Sequence, residues 1–185
     1  RVSSSLAPEW LGANTSFVKF ESFVTRVQRL PKDNMLIFRS YSQWTPNDLP
    51  PVEQFQLGGV NSVRGYTEGL LIGDRGYNLS LEWRWPIPYL GRVNPWLGQR
   101  VRGATFFDMG QAWMDKSNRF YISGVSNSSR RTSLMGAGVG LRAQMTDYLQ
   151  GYVDFGFGLL NRSGIEPNAQ PTARVHFGVR SDLLP

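Results

Sequence analysis

The sequence predicts an all-β protein built from antiparallel strands. Several segments alternate apolar and polar residues with a period of two, and turn-rich stretches containing Gly, Pro, Asn and Ser separate them. No segment has the periodicity of a convincing helix. The spacing of the segments predicts about eight strands, with ends defined to within about two to four residues.

The first third of the chain supplies the least regular strands. Residues 15–30 and 34–44 are predicted as two strands, joined by the turn Leu30-Pro31-Lys32-Asp33-Asn34. Residues 1–14 are expected to supply part of another strand.

The alternation is clearest in residues 75–87. Successive side chains of a strand point to opposite faces, so the apolar residues of this segment share one face. They are Tyr77, Leu79, Leu81, Trp83, Trp85 and Ile87. The opposite face carries Gly76, Asn78, Ser80, Glu82, Arg84 and Pro86. A face this apolar must lie against other apolar groups.

Four later segments follow the same rule: 101–113, 132–145, 149–159 and 172–180. In the first, Asp108 shares a polar face with Arg102 and Gly110. In the second, glycine at alternate positions leaves one face nearly without side chains, which gives room in a crowded interior. These glycines are Gly136, Gly138 and Gly140.

Periodicity alone does not say which face of the strands contacts water. A soluble sandwich or lipocalin-like barrel hides the apolar face, whereas an outer-membrane barrel turns it toward lipid. The segments reach the roughly 9–11 residues that a tilted strand needs to cross a membrane. Aromatic residues near segment ends resemble interfacial girdles: Trp83, Trp85, Tyr89, Trp96, Trp113 and Tyr148. We therefore favour a transmembrane β-barrel, with a soluble all-β binding module as the alternative.

Composition argues against several other classes of protein. The net charge is +6, but the basic residues are spread singly along the chain, which argues against nucleic-acid binding. The chain has no Cys, which removes disulfide frameworks and thiolate metal sites. No apolar run is long enough for a transmembrane helix.

Catalytic and cofactor sites are also not expected. His176 is the only His, and no Gly-x-Ser-x-Gly motif accompanies it. The glycines of residues 136–140 lack the spacing of a nucleotide-binding loop, and no cluster of metal ligands is visible. The sequence therefore predicts that the chain is not an enzyme and needs neither a metal nor another cofactor.

A long loop at about residues 46–74 separates the strand that ends near Trp44 from the one that begins near Arg75. It is too long for a simple hairpin connection, and loops of this length are usually functional or disordered. Because it is neither of low complexity nor highly charged, we expect an ordered, functional loop.

The loop and the strands after it carry a string of motifs. In chain order these are Glu53-Gln54-Phe55, Leu57-Gly58-Gly59, Ser62-Val63-Arg64-Gly65-Tyr66, Gly73-Asp74-Arg75-Gly76-Tyr77, Leu81-Glu82-Trp83-Arg84 and Phe106-Phe107-Asp108-Met109-Gly110. In order and spacing the string resembles the two-partner-secretion transporters, the haemolysin secretion/activation proteins such as ShlB, FhaC and HecB. These belong to the wider superfamily that includes the barrel-assembly protein BamA. The resemblance covers the chain from about residue 15 to its end.

The resemblance implies a sixteen-stranded barrel whose long loop folds back into the lumen. At the loop tip, Val63-Arg64-Gly65-Tyr66, the arginine would contact an acidic residue of the barrel wall. Asp108 and Glu82 are the candidate partners, because both lie on polar strand faces. A carboxylate can bind the planar guanidinium through two hydrogen bonds.

Glycines accompany both sides of this expected contact. Gly58, Gly59 and Gly65 would allow the turns and close approach that a re-entrant tip needs, and Gly110 lies beside Asp108 on the wall. The alternative is that Arg64 sits in a solvated turn and Asp108 merely faces water, as most charged side chains do.

For function, the resemblance implies an outer-membrane pore of a bacterial cell that secretes a partner exoprotein. A BamA-like insertase of outer-membrane proteins is the alternative within transport, and the Glu53-Gln54-Phe55 motif favours secretion. The expected partners are outer-membrane lipid, a secreted or inserted polypeptide, and periplasmic recognition domains of the same full-length protein.

The expected domain organisation is a single β-barrel region over residues 1–185. In the family, periplasmic domains and about eight more strands precede this region. We therefore expect either the C-terminal half of a sixteen-stranded barrel or a small barrel of about eight strands that closes on its own.

Overall fold

A computed structural model describes residues 16–113, 131–160 and 173–181. Within these ranges, seven antiparallel strands form one sheet in which every strand pairs with the next long strand along the chain. These strands are β1 (Phe20–Leu30), β2 (Asn34–Trp44), β5 (Arg75–Pro86), β6 (Val101–Trp113), β7 (Arg131–Gln144), β8 (Leu149–Gly158) and β9 (Ala173–Ser181). Two short strands, β3 (Phe55–Leu57) and β4 (Leu71–Gly73), pair with each other inside the connection from β2 to β5.

The strand predictions agree closely with this arrangement. β2 and β6 occupy the predicted ranges 34–44 and 101–113. The ends of β5, β7, β8 and β9 lie within about one residue of their predicted positions. β1 begins at Phe20, later than the predicted residue 15. The part of a strand predicted in residues 1–14 lies outside the described residues.

The prediction that the chain contains no helix is wrong. A 3-10 turn spans Pro51–Glu53, and helices α1 (Leu90–Val93) and α2 (Pro95–Arg100) lie between β5 and β6. Asn94 caps α2 by accepting hydrogen bonds from the backbone N–H groups of Trp96 and Leu97. Such helices make fewer than two turns, too few to show a helical period in sequence. In the described part of the chain, no helix has the length and hydropathy needed to span a membrane.

The strand register gives the sheet two chemically different faces. Asp108 of β6 lies opposite Ser80 of β5 and Gly136 of β7, and Asp154 of β8 lies opposite Gly140 of β7. Because side chains alternate along every strand, all these residues share one face. We call it the inner face, and the opposite one the outer face.

Apolar side chains of the outer face are exposed. Leu81, Val139 and Phe155 are 43%, 51% and 45% exposed, whereas Phe106 on the inner face is only 2% exposed. A soluble β-protein buries its apolar face, and contiguous exposed apolar surface of this kind is typical of contact with lipid. The fold is therefore an antiparallel transmembrane β-barrel architecture, as predicted.

In the part of the chain that the structure describes, the sheet has two free edges. Among the described strands, β1 pairs only with β2 and β9 pairs only with β8. Within the described residues the sheet does not close on itself, so they do not form the small closed barrel that was one of the two expected arrangements.

Apolar loop residues form the core of the molecule. Phe55, Leu57, Val63 and Tyr66 pack together with Leu71, and they rest on wall residues of the inner face. Those wall residues are Ala112 of β6 and Leu134 of β7. The loop thus covers part of the polar inner face, and no described residue covers the apolar outer face.

Candidate functional site

The loop between β2 and β5, residues 45–74, is held closed at its base. Asp74 is 1% exposed, and its Oδ1 accepts hydrogen bonds from the Leu49 backbone N–H (3.1 Å) and Gln54 Nε2 (3.2 Å). Gln43 of β2 donates from Nε2 to the backbone carbonyls of Glu53 and Asp74, at 3.0 and 3.1 Å. These bonds fix both ends of the loop to the sheet.

Gly58 and Gly59 turn the chain toward the loop tip. Their φ angles of 110° and 99° lie in the left-handed region that other residues rarely adopt. The Gly59 N–H donates to the Val63 carbonyl at 3.1 Å, and the Gly58 N–H donates to Ser62 Oγ at 2.8 Å. The resulting compact turn presents Arg64 to the wall.

Arg64 binds carboxylates from three different strands. Its Nε and Nη2 donate to the two oxygens of Asp108 at 2.7 and 2.9 Å, which is a bidentate contact. Its Nη1 donates to Glu82 at 3.0 Å and to Asp154 at 3.2 Å. The Arg64 backbone N–H also donates to Asp108, at 3.1 Å.

Two further arginines complete the cluster. Arg142 of β7 donates to Glu82 at 2.8 Å and to Asp154 at 2.6 Å, and Arg84 of β5 donates to Glu82 at 2.6 Å. With Arg64, three arginines therefore face three carboxylates, and their formal charges balance. We call these six residues the ion cluster: Arg64, Glu82, Arg84, Asp108, Arg142 and Asp154.

The ion cluster is buried. Arg64 is 6% exposed and Asp108 is fully buried. A buried charge without a partner costs several kcal/mol. Removal of one member of the cluster would therefore leave its partners as unpaired buried charges and would destabilise the folded protein. The guanidinium also lies over the ring of Phe106, with its Cζ 3.5 Å from the ring centroid, in a cation-π contact.

The groups around Arg64 keep its side chain protonated. Burial by itself lowers the pKa of the Arg64 guanidinium, but the hydrogen bond to Asp108 and the nearby carboxylates outweigh it. The net effect raises the pKa of Arg64 above its usual value, so the side chain remains a cation.

The backbone of the loop tip lies directly on glycines of the wall. A Cβ atom at Gly136 of β7 would collide with the Arg64 carbonyl oxygen, and one at Gly156 of β8 would lie 2.8 Å from the Gly65 nitrogen. Gly65 itself has a φ of 97° and is pressed against the β8 backbone. The side-chain-free face predicted for residues 132–145 is therefore the surface that receives the loop tip.

Tyr66 anchors the far side of the tip. Its hydroxyl lies 2.9 Å from the Met135 carbonyl and 3.1 Å from the Leu160 carbonyl, either of which can accept its proton. The same oxygen accepts a hydrogen bond from the Leu160 backbone N–H at 3.0 Å. The fully buried Val63 precedes Arg64, and Tyr66 follows it two residues later. Both pack in the apolar core of the loop.

Every predicted site residue lies in or beside this arrangement. Val63, Arg64, Gly65 and Tyr66 form the tip, Gly58 and Gly59 form the turn, and Asp108 and Glu82 bind the guanidinium. At Gly110 a side chain would meet the side chain of Leu57, so this glycine makes room for the base of the loop.

Sequence reasoning missed three members of the ion cluster: Arg84, Arg142 and Asp154. Arg84 was placed on the polar face of residues 75–87, but none of the three was assigned to the site. Asp154 is separated from Arg64 by 90 positions and meets it only because β6, β7 and β8 pair in a particular register. The sequence did contain a signal for Arg142 and Asp154. Both alternate with glycines along their strands, on faces that were expected to line the crowded barrel interior.

A cavity of about 670 Å³ lies beside the ion cluster. Its lining includes Arg39 of β2 and Gln150 of β8, together with members of the ion cluster. The Arg39 side chain makes no hydrogen bond or ion pair with any residue in the described ranges, although its backbone is paired in the sheet. The loop therefore leaves part of the space above the inner face open.

Comparisons with known proteins agree with the motif string. The family of haemolysin secretion/activation proteins ShlB/FhaC/HecB matches residues 5–143. The outer membrane transporter CdiB of Escherichia coli strain 536 is 36% identical over 105 residues, which are 55% of this chain and 15% of that protein. A second Escherichia coli CdiB is 42% identical over 57 residues, covering 29% of this chain and 10% of that protein.

Solved structures show the same fold. CdiB from Escherichia coli superposes with a TM-score of 0.60 and CdiB from Acinetobacter baumannii with 0.55, each at 22% sequence identity. Both alignments cover 89% of this chain, but only 27% and 26% of the two transporters. The chain therefore spans about a quarter of the length of these structures.

Proposed function

Because the chain belongs to the ShlB/FhaC/HecB family of haemolysin secretion/activation proteins, we propose that it is part of a pore that secretes a partner exoprotein. The chain is a β-barrel region of a bacterial outer-membrane protein. It spans only a small part of its relatives, so the proposed activity belongs to the full-length protein.

In this proposal, residues 1–185 are a single barrel region with a re-entrant loop at about residues 46–74. Within the described residues the outer edges of β1 and β9 are unpaired, and this supports a larger barrel, because unpaired backbone groups are very unfavourable in lipid. Further strands of the same full-length protein would pair with these edges. Its periplasmic domains would recognise the exported polypeptide.

The observation that carries the proposal is the burial of Arg64 among three carboxylates. Charge-assisted hydrogen bonds contribute about 1.5–3 kcal/mol each, so withdrawing this guanidinium from the wall is costly. The loop therefore stays docked on the inner face unless the wall itself rearranges. Loop position would then control whether the lumen can conduct a polypeptide.

The pore would act as a passive conduit. It would contact lipid with its outer face and the exported chain with its lumen, and it would need neither a cofactor nor a catalytic residue. The name of the family favours secretion over a BamA-like insertase. The exposed apolar outer face favours a membrane protein over a soluble binding module.

An export assay tests this role of the loop. In cells that produce the full-length protein and its exoprotein, Arg64→Ala and Asp108→Ala should each lower secretion at least about tenfold, since each leaves buried charges unpaired. The barrel should still form, as judged by its heat-modifiable mobility in gels. Arg39→Ala is the matched control, because it removes a cavity arginine that has no ion-pair partner within the described residues.

The export assay can contradict the proposal in two ways. Normal secretion by both Arg64→Ala and Asp108→Ala would show that the ion cluster does not control export. Equal loss of secretion in the Arg39→Ala control would show that any charge change in the cavity impairs the pore.

A further inference from the structure

The connection between β5 and β6 is unlike the other connections at its end of the sheet. Residues 31–33 and 145–148 form tight turns there, whereas residues 87–100 form α1 and α2. Neither helix contains a buried residue. Tyr89, Val93 and Trp96 are 71%, 82% and 55% exposed, so this segment presents apolar surface that nothing in the described residues covers.

The segment is also purely basic. From residue 83 to residue 107 the sequence contains four arginines and no Asp or Glu; Arg84 is paired with Glu82 in the ion cluster, and the others are Arg92, Arg100 and Arg102. Two of them lie on the helices and stack on exposed aromatic rings: the Arg92 Cζ is 5.0 Å from the Tyr89 ring centroid, and the Arg100 Cζ is 5.2 Å from that of Trp96. Each pair combines a cation with an apolar ring.

The helices adjoin the surface that faces lipid. They follow the end of β5, where the rings of Trp83 and Trp85 lie 5.1 Å apart on the outer face. Arg100 also donates to the Met145 carbonyl in the β7–β8 turn at 2.8 Å, which holds α2 against the rim of the sheet. The exposed rings of α1 and α2 therefore follow directly, along the chain, on the aromatic end of the outer face.

Connection lengths indicate which leaflet lies at this rim. In outer-membrane barrels the short turns are periplasmic and the long loops extracellular. The short turns at residues 31–33 and 145–148 put α1 and α2 on the periplasmic side, opposite the loop of residues 45–74. The lipid at that side is the inner leaflet.

We propose that residues 87–100 form an interfacial site for anionic phospholipid headgroups. Arg92 and Arg100 bind the lipid phosphates, and Tyr89, Val93 and Trp96 enter the boundary between headgroups and acyl chains. Aromatic rings prefer this depth, and arginines reach outward to phosphate from it. The site tethers the periplasmic rim of the barrel to the membrane and is separate from the ion cluster.

Fluorescence quenching in the full-length protein tests the site. The chain has no Cys, so Val93→Cys gives one labelling position in this region for an environment-sensitive nitrobenzoxadiazole dye. In a background without other cysteines, the protein is reconstituted in vesicles of equal parts phosphatidylcholine and phosphatidylglycerol. The acyl chains of one lipid or the other are brominated, because bromine quenches the dye on contact.

Brominated phosphatidylglycerol should quench the dye about two- to threefold more than brominated phosphatidylcholine, because the arginines concentrate anionic lipid nearby. The double variant Arg92→Gln and Arg100→Gln should bring this ratio to about one. Arg39→Gln, which removes a positive charge from the cavity, is the matched control and should leave the ratio unchanged.

Three outcomes would overturn the proposal. Equal quenching by both lipids in the labelled protein that retains Arg92 and Arg100 would mean lipid contact without anion binding. Strong quenching by aqueous iodide alone would mean that the helices project into water. Protection from both lipids and iodide would mean that a protein domain covers the helices.

Discussion

A single side chain, Arg64, joins the loop to β5, β6 and β8 through Glu82, Asp108 and Asp154. Lysine would not do the same, because its ammonium is a point charge, whereas the planar guanidinium presents five donors in a fixed fork. The specificity of the site therefore lies in the geometry of this group as much as in its charge.

Tyr66 offers a test at the residue scale that leaves every charge in place. Tyr66→Phe should lower the free energy of unfolding in lipid vesicles by about 1–3 kcal/mol, because the partly buried Leu160 N–H loses its acceptor. Urea titration measures this. Tyr77→Phe is the matched control, because the Tyr77 hydroxyl makes no hydrogen bond within the described residues. A loss no larger for Tyr66→Phe than for Tyr77→Phe would contradict the anchoring role of Tyr66.

The residues of the site were only partly predictable. The motif string paired Arg64 with Asp108 and Glu82, and both contacts are present in the structure. Asp154 and Arg142 were not predicted as partners, because their approach depends on strand register across the sheet. A one-residue slip would reverse the faces of a strand, and periodicity alone does not fix which residues lie opposite each other.

At the scale of elements, long alternating strands were predicted well and short elements were not. The period-two pattern of β2 or β6 extends over enough residues to define both ends of the strand. β3 and β4 contain three residues each, and their pairing arises from the docking of the loop. α1 and α2 were not predicted because helices of four and six residues are too short to show a helical period in the sequence.

The glycine face of β7 gives a prediction at this scale. Gly136→Ala should push the loop tip off the wall, since the new methyl group collides with the Arg64 carbonyl. Arg64 would then become accessible, and trypsin should cut after it at least about tenfold faster in the folded protein. Mass spectrometry of the fragments identifies the cut.

The control for this prediction lies one residue away. Ala137 follows Gly136 on β7 but belongs to the outer face, where it lies opposite Phe107 and Phe157. Ala137→Val should leave the rate of cleavage at Arg64 unchanged. Equal cleavage in the two variants would show that the loop tip does not depend on the bare inner face.

At the scale of the whole molecule, the sheet has inverted polarity, with charges inside and apolar side chains outside. Phe155→Arg on the outer face of β8 should therefore destabilise the protein in vesicles by up to about 4 kcal/mol, depending on its depth in the membrane. Gln150→Arg lies on the inner face of the same strand, lines the cavity, and should change stability little. Equal destabilisation by the two variants in urea titrations would contradict the assignment of the faces.

The central claim is that the loop is docked on the inner face through Arg64, and amide hydrogen exchange tests it most directly. The Arg64 backbone N–H donates to Asp108, so in the full-length protein in lipid its exchange should be at least about 100-fold slower than in an unstructured peptide. In Asp108→Ala this protection should be lost, while the strands stay protected. Rapid exchange at Arg64 in the unsubstituted protein would contradict the account, and so would protection of the Arg64 N–H that persists in Asp108→Ala.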